Sequence, residues 1–83
     1  PVLDAPAAAL LARLKELRTQ IAREDRVPAY VVFADRTLAE LAVRQPRTPG
    51  AMVEVRGIGP AKLAKYGERF LTVLRNHDET EAA

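Results

Sequence analysis

The run from Val55 to Lys65 holds a Gly-Ile-Gly-Pro turn between two helical patterns. Gly57 and Gly59 permit backbone dihedrals that are closed to other residues, and they have no side chain to block a close approach. Gly59 stands at the start of the next helix, where amides and the helix dipole favour a phosphate. Lys62 and Lys65 lie at positions i and i+3 and would flank that phosphate. The turn therefore predicts a helix-hairpin-helix that could contact a nucleic-acid backbone.

The same turn also has a purely structural interpretation. A hairpin can simply join and pack two helices, with Ile58 turned inward as an anchor for both. Pro60 removes one of the amides that would otherwise face a phosphate. The residues predict the hairpin geometry in either case and leave the phosphate contact open.

A second candidate site surrounds Tyr30. A tyrosine ring can stack on an unpaired base while Arg26 and Arg36 hold the phosphates, a combination typical of single-stranded nucleic-acid binding. The alternative is that Tyr30 buries its ring and hydrogen-bonds its hydroxyl to the backbone. Acidic neighbours, among them Glu24 and Glu40, oppose the counterion release on which DNA affinity depends. The residues alone leave both interpretations open.

Side chains suited to catalysis are scarce. The chain has no cysteine and no serine for nucleophilic chemistry, and His77 is its single histidine. The carboxylates show no paired spacing for two-metal chemistry, and no Gly-Lys-Ser/Thr phosphate loop is present. We therefore expect a non-enzymatic domain with no catalytic residue, no metal site and no cofactor.

The charge is polarised along the chain, although the net charge is only +2. Residues 57–75 carry four basic side chains against one acidic side chain, a local charge of +3, and residues 76–83 carry −3. This arrangement favours a polyanion or another domain as partner. A solvated helix with a soluble tail is the simpler alternative. No apolar run is long enough for a membrane span, so we expect no membrane partner.

The elements that position these residues are helical. Apolar residues such as Leu10, Leu14 and Ile21 recur at helical spacing, and Asp35 and Thr48 are expected as helix N-caps. Residues 29–33 favour a strand by propensity, but no second strand exists to pair with them, so we predict a short helical turn. The sequence thus predicts one all-α domain, a compact bundle of about five helices. Its predicted elements are a linker at 1–6, helices at about 7–25, 36–44, 49–55 and 60–77, the turn at 29–33, and a frayed acidic tail at 78–83.

The order and spacing of these motifs resemble the helicase-and-RNase-D C-terminal (HRDC) domain. The likeness rests on VPAYVVFADRTLAELA at residues 27–42 and VRGIGPAKLAKYGERFL at residues 55–71, and it covers about residues 8–77. Within the family, the run from Tyr30 to Leu38 is more similar to RecQ helicases than to RNase D.

The resemblance implies an accessory domain of a bacterial, ATP-dependent RecQ-type DNA helicase that acts in recombination and repair. We expect it in the cytoplasm, associated with the nucleoid. It implies binding of single-stranded or partially duplex DNA at Tyr30, with Arg18, Arg26 and Arg36 as basic neighbours. A second function stays open, in which the domain docks on the helicase core or a sibling domain and binds little DNA itself. A monomer is the default expectation, because the proposed core uses the apolar residues.

Overall fold

Five α-helices make up the regular structure of this chain. The computed structural model describes the backbone of residues 2–82 and the side chains of residues 2–77, and no strand occurs in that part of the chain. The prediction of an all-α bundle with one very short helix is confirmed. The helices are α1 (Ala5–Asp25), α2 (Ala29–Val32), α3 (Asp35–Arg44), α4 (Pro49–Val53) and α5 (Pro60–Ala82).

One hydrophobic core receives side chains from every helix. The periodic leucines of α1 and α3 and the apolar face of α5 lie in it, as their helical spacing predicts. Each such side chain contributes about 1.5–3 kcal/mol when it leaves water. The largest fully buried side chains are Phe33, Phe70, Leu10, Leu14, Ile21, Leu38, Leu41, Met52, Leu71, Leu74 and Val32.

Phe33 lies where α2 and α5 meet in this core. Its side chain is 0% exposed, and its ring makes edge-to-face contacts with the rings of Tyr66 and Phe70 at centroid distances of 6.0 and 5.0 Å. Aromatic pairs of this geometry add about 0.5–1.5 kcal/mol beyond the burial of their area. Phe33 thus fixes the end of α2 against the long C-terminal helix.

The first helix begins earlier than predicted, at Ala5 rather than at about residue 7. Asp4 caps it, because its carboxylate accepts a hydrogen bond of 2.9 Å from the amide of Ala7. Pro6 lies in the first turn, where a missing amide costs no helical hydrogen bond. The last two residues of the predicted linker are therefore helical, and Pro1 lies outside the described residues.

The prediction of Asp35 as the N-cap of α3 is wrong, because the cap is Ala34 and makes no side-chain cap hydrogen bond. The Asp35 carboxylate lies instead 2.8 Å from the Arg18 guanidinium of α1. Thr48 does cap α4, since its hydroxyl accepts from the amide of Ala51 at 3.1 Å. That helix ends at Val53, two residues before the predicted end.

The last helix continues to Ala82, through most of the segment predicted as a frayed tail. Leu74 is fully buried and His77 is 4% exposed, so the core still holds the helix at this point. The Arg13 guanidinium lies 3.5 Å from the His77 imidazole and joins α1 to this turn. The acidic side chains at 78–83 lie outside the described residues.

The hairpin between α4 and α5 requires a glycine at position 57. Its φ of +94° is a conformation that residues with a side chain rarely adopt. A Cβ at this position would also lie 2.5 Å from the Thr37 hydroxyl oxygen, which donates a hydrogen bond to the Arg56 carbonyl. Gly57 therefore lets the hairpin approach the first turn of α3.

Candidate nucleic-acid interface

Tyr30 is displayed on the surface of α2. Its side chain is 71% exposed, while Val32 and Phe33 beside it are 0% exposed and hold the helix to the core. The alternative in which Tyr30 buries its ring does not hold. An exposed ring on an anchored turn can stack on an unpaired base at little cost in side-chain order.

Arg26 follows α1 in a left-handed conformation, with φ of 57° and ψ of 46°. Its backbone amide closes the helix by donating to the Ala22 and Arg23 carbonyls. Glycine is the usual residue at such a position, and a side chain there costs about 1–2 kcal/mol. The Arg26 side chain is exposed and forms no ion pair with any side chain described.

Arg36 lies exposed in the first turn of α3. Glu40, one turn later, was expected to oppose DNA binding beside it. Its carboxylate instead lies 3.8 Å from the Arg44 guanidinium, one turn further along α3. Within the described side chains, no acid pairs with Arg36.

The two acids at the end of α1 are held by cations of α5. Arg69 donates to both Glu24 carboxylate oxygens, at 2.8 and 3.3 Å. Asp25 accepts a hydrogen bond of 3.3 Å from the Tyr66 hydroxyl and lies 3.6 Å from the Lys65 ammonium. Both ion pairs lie at the surface, where water screens them, so each contributes little to stability.

Ion pairs with arginine lower the pKa of two of these carboxyl groups and so favour their charged forms. The hydrogen bond from Arg69 lowers the pKa of Glu24. The hydrogen bond from Arg18 lowers the pKa of Asp35 in the same way. A lowered carboxyl pKa means that the pair is fully formed at neutral pH and is lost only as the pH falls through that lowered value.

The acids around Tyr30 are therefore neutralised from outside their own segment. Residues 24–40 hold four acidic side chains, and each has a cationic partner on α1, on α5 or at the end of α3. The two arginines of the same segment, Arg26 and Arg36, have no such partner among the described side chains. The segment offers a stacking ring and two available cations, although its sequence alone carries a net negative charge.

Arg18, implied as a basic neighbour of Tyr30, does not lie on this surface. Its side chain is only 11% exposed, and one of its terminal nitrogens donates to the Phe33 carbonyl at 2.9 Å. Its other terminal nitrogen contacts Asp35. Arg18 cannot reach a phosphate while it keeps these two contacts.

The hairpin lysines point toward the same region. The Lys62 ammonium lies 5.8 Å from the centre of the Phe33 ring, three residues beyond Tyr30. Lys65 pairs with Asp25 and also lies over the Tyr66 ring at 5.3 Å. Gly59 is exposed, and a Cβ there would meet no atom within 4 Å, so packing does not demand a glycine at that position.

A separate groove lies between α3 and the hairpin turn, with a volume of about 370 Å³. It is lined by Glu40, Arg44, Glu54 and Arg56, two acids and two bases. Sequence reasoning missed this groove and the pairing of Glu24 with Arg69, because partners 45 residues apart leave no local spacing signal. Within the described residues, no cluster of histidine and acidic side chains could hold a metal ion, and no helix is long and apolar enough to cross a bilayer.

Comparison with known proteins places these features in a family. The family model for the HRDC domain matches residues 7–74. The chain is 41% identical over 68 residues to the ATP-dependent DNA helicase RecQ of Pasteurella multocida, covering 82% of this chain and 11% of the relative. It is 44% identical over 66 residues to the ATP-dependent DNA helicase UvrD2 of Mycobacterium tuberculosis, covering 80% of this chain and 9% of the relative.

A solved structure described as D. radiodurans RecQ HRDC domain 3 shares the same fold. It aligns with a TM-score of 0.81 and 41% identity, covering 84% of this chain and 92% of that chain. By contrast, the chain spans about a tenth of the length of the helicases to which it is similar.

Proposed function

The chain belongs to the HRDC domain family of RecQ-type helicases, and from this premise we propose that it is a DNA-binding accessory module. It binds single-stranded or partially duplex DNA weakly and tunes which DNA structures its parent helicase engages. ATP hydrolysis and strand separation belong to the rest of the parent protein, and this domain performs no catalysis. It acts as a monomer in the bacterial cytoplasm, at the DNA of the nucleoid.

The observation that carries this proposal is the distribution of charge around Tyr30. The ring is exposed, the four acids of residues 24–40 are paired with cations, and Arg26 and Arg36 have no acidic partner among the described side chains. A base that stacks on Tyr30 would bring its flanking phosphates to these arginines.

The hairpin contributes at the edge of this surface. The Lys62 ammonium lies over the ring of Phe33, the residue that follows α2, and supplies a third cation. Lys65 acts indirectly, because its ammonium offsets the charge of Asp25. Gly57 and Gly59 shape the turn that carries these lysines, and a phosphate at the start of α5 would find the Ala61 and Lys62 amides there.

Titration of a fluorescently labelled single-stranded oligonucleotide with the domain tests this function. We expect a dissociation constant of the order of 10⁻⁴ to 10⁻⁶ M, as for a few phosphate contacts. Three phosphate contacts to a single strand, at Arg26, Arg36 and Lys62, give a slope of about −2.1 in log K against log salt, so binding weakens about eighteenfold between 50 and 200 mM salt.

A double variant shows whether these arginines make the contacts. Arg26→Ala with Arg36→Ala is expected to remove most of the salt dependence. Arg75→Ala is the matched control, because Arg75 lies about 20 Å from Lys62 along α5 and its removal should leave the slope unchanged. Absence of binding at tens of micromolar protein in 50 mM salt would contradict the proposal.

The groove between α3 and the hairpin turn favours a second candidate function. The two acidic side chains of the groove repel DNA phosphates. A protein surface with charges of both signs can complement all four side chains that line the groove. Val43 is 43% exposed on the same helix and adds apolar area. The domain would then dock on the helicase core or a sibling domain, and its deletion would change helicase activity even if the isolated domain ignored DNA.

A further inference from the structure

We propose that Arg18 is a positioning residue, which holds the connection between α2 and α3 and so orients Tyr30 without touching DNA itself. The inference rests on the proposed role of Tyr30 in DNA binding. It assigns to Arg18 a function different from that of a basic neighbour on the binding surface.

The Arg18 guanidinium joins two acceptors on either side of the α2–α3 connection. One terminal nitrogen donates to the Phe33 carbonyl at 2.9 Å, and the other lies 2.8 Å from the Asp35 carboxylate. The planar fork of an arginine presents two terminal nitrogens to two acceptors at a fixed separation, a geometry that the compact ammonium of a lysine does not reproduce. Because Arg18 lies well inside α1, a helix of 21 residues, the contacts tie the connection to a long element of the bundle.

The second helix needs an external anchor of this kind. It has only four residues, and helices so short are unstable alone in water. Its N-cap, Pro28, provides no side-chain hydrogen bond, and Phe33 leaves the helix with φ of −150° and ψ of 145°. The Phe33 carbonyl therefore lies beyond the helical ladder, and Arg18 gives it a partner. Tyr30 lies one turn earlier in the same short helix, so the bond from Arg18 to the Phe33 carbonyl also fixes its orientation.

The contacts are poorly explained by stability alone. Asp35 has a side chain that is 77% exposed, and ion pairs in water contribute little. The Arg18 Nε is buried without a hydrogen-bond partner among the described residues, which carries a cost. What the arrangement does provide is a defined direction for the short helix that presents Tyr30.

Substitution of Arg18 by lysine separates positioning from charge. Arg18→Lys keeps the positive charge and retains at most one of the two contacts. We expect DNA affinity to fall about threefold, a fraction of what a stacked base contributes, with an unchanged salt slope. In a Tyr30→Ala background, the same substitution is expected to cause no further loss, because both residues act through one ring.

Hydrogen exchange measures the positioning without any DNA. The amide of Phe33 bonds to the Ala29 carbonyl at 3.4 Å, and it should exchange about tenfold faster in Arg18→Lys as α2 loosens. Asp35→Asn, which keeps the Phe33 contact, should accelerate exchange less. Arg23→Lys is the control, an exposed arginine of the same helix whose change should alter neither exchange nor affinity.

Two results would overturn the inference. An affinity loss that persists in the Tyr30→Ala background and reduces the salt slope would make Arg18 a direct phosphate contact. Unchanged exchange at Phe33 in Arg18→Lys would show that α2 does not depend on it. If the unaltered domain bound no DNA, the proposed function would fail, while the exchange rates would still decide whether Arg18 holds α2.

Discussion

Replacement of Tyr30 by alanine is expected to weaken single-stranded DNA binding about tenfold, with the fold unchanged. Stacking of one base on an aromatic side chain contributes about 1–3 kcal/mol, and a loss of 1.4 kcal/mol corresponds to tenfold in affinity. The side chain is 71% exposed, so the free energy of unfolding should change by less than about 0.5 kcal/mol. Fluorescence anisotropy gives the affinity, and thermal unfolding gives the stability.

Two further variants show whether the loss of affinity comes from the ring of Tyr30. Tyr30→Phe keeps the ring and should retain most of the affinity, which would assign the effect to stacking and not to the hydroxyl. Val43→Ala removes an exposed apolar side chain from α3 and should leave DNA affinity unchanged. A Tyr30→Ala variant that binds as tightly as the unaltered domain would rule out the stacking surface.

Replacement of Phe33 by alanine is expected to destabilise the domain by about 3–5 kcal/mol, the usual cost of removing a buried phenylalanine. The side chain is fully buried and loses two aromatic partners in the change. Native domains are stable by only about 5–15 kcal/mol, so this variant should be close to unfolding at room temperature. Urea unfolding followed by circular dichroism gives the value.

The neighbouring Val31 provides the control for Phe33. Its side chain is 38% exposed on the same short helix, so Val31→Ala should cost less than about 1 kcal/mol. A loss below 1 kcal/mol for Phe33→Ala would mean that α2 is not held through the aromatic contacts with α5.

Local patterns in the sequence predicted the helices well. The spacing of Leu10, Leu14 and Ile21 indicated the buried face of α1, and all three are buried. The choice of a helical turn over a strand for residues 29–33 was correct for 29–32, because the decisive argument was the absence of a pairing strand. Boundaries were less accurate where a nearby cap, such as Asp4, extends the helix.

Predictions that depend on distant partners were less successful. Aspartate is a residue type that often caps helices, but the Asp35 carboxylate pairs instead with Arg18, 17 residues earlier in the chain. The acids at 24 and 25 indicated a poor DNA surface, yet cations 40 or more residues later neutralise them. Such pairings arise from how α1 packs against α3 and α5, and no spacing within one helix reveals them.

The location of the DNA on the domain is the central claim, and an NMR titration tests it most directly. The ¹⁵N-labelled domain would be titrated with an unlabelled single-stranded oligonucleotide in low salt. We predict that amide signals shift together for residues 26–36 and for Lys62, and that residues lining the groove of Glu40 and Glu54 stay unchanged. Shifts confined to that groove, or no shifts at saturating oligonucleotide, would contradict a DNA-binding surface centred on Tyr30.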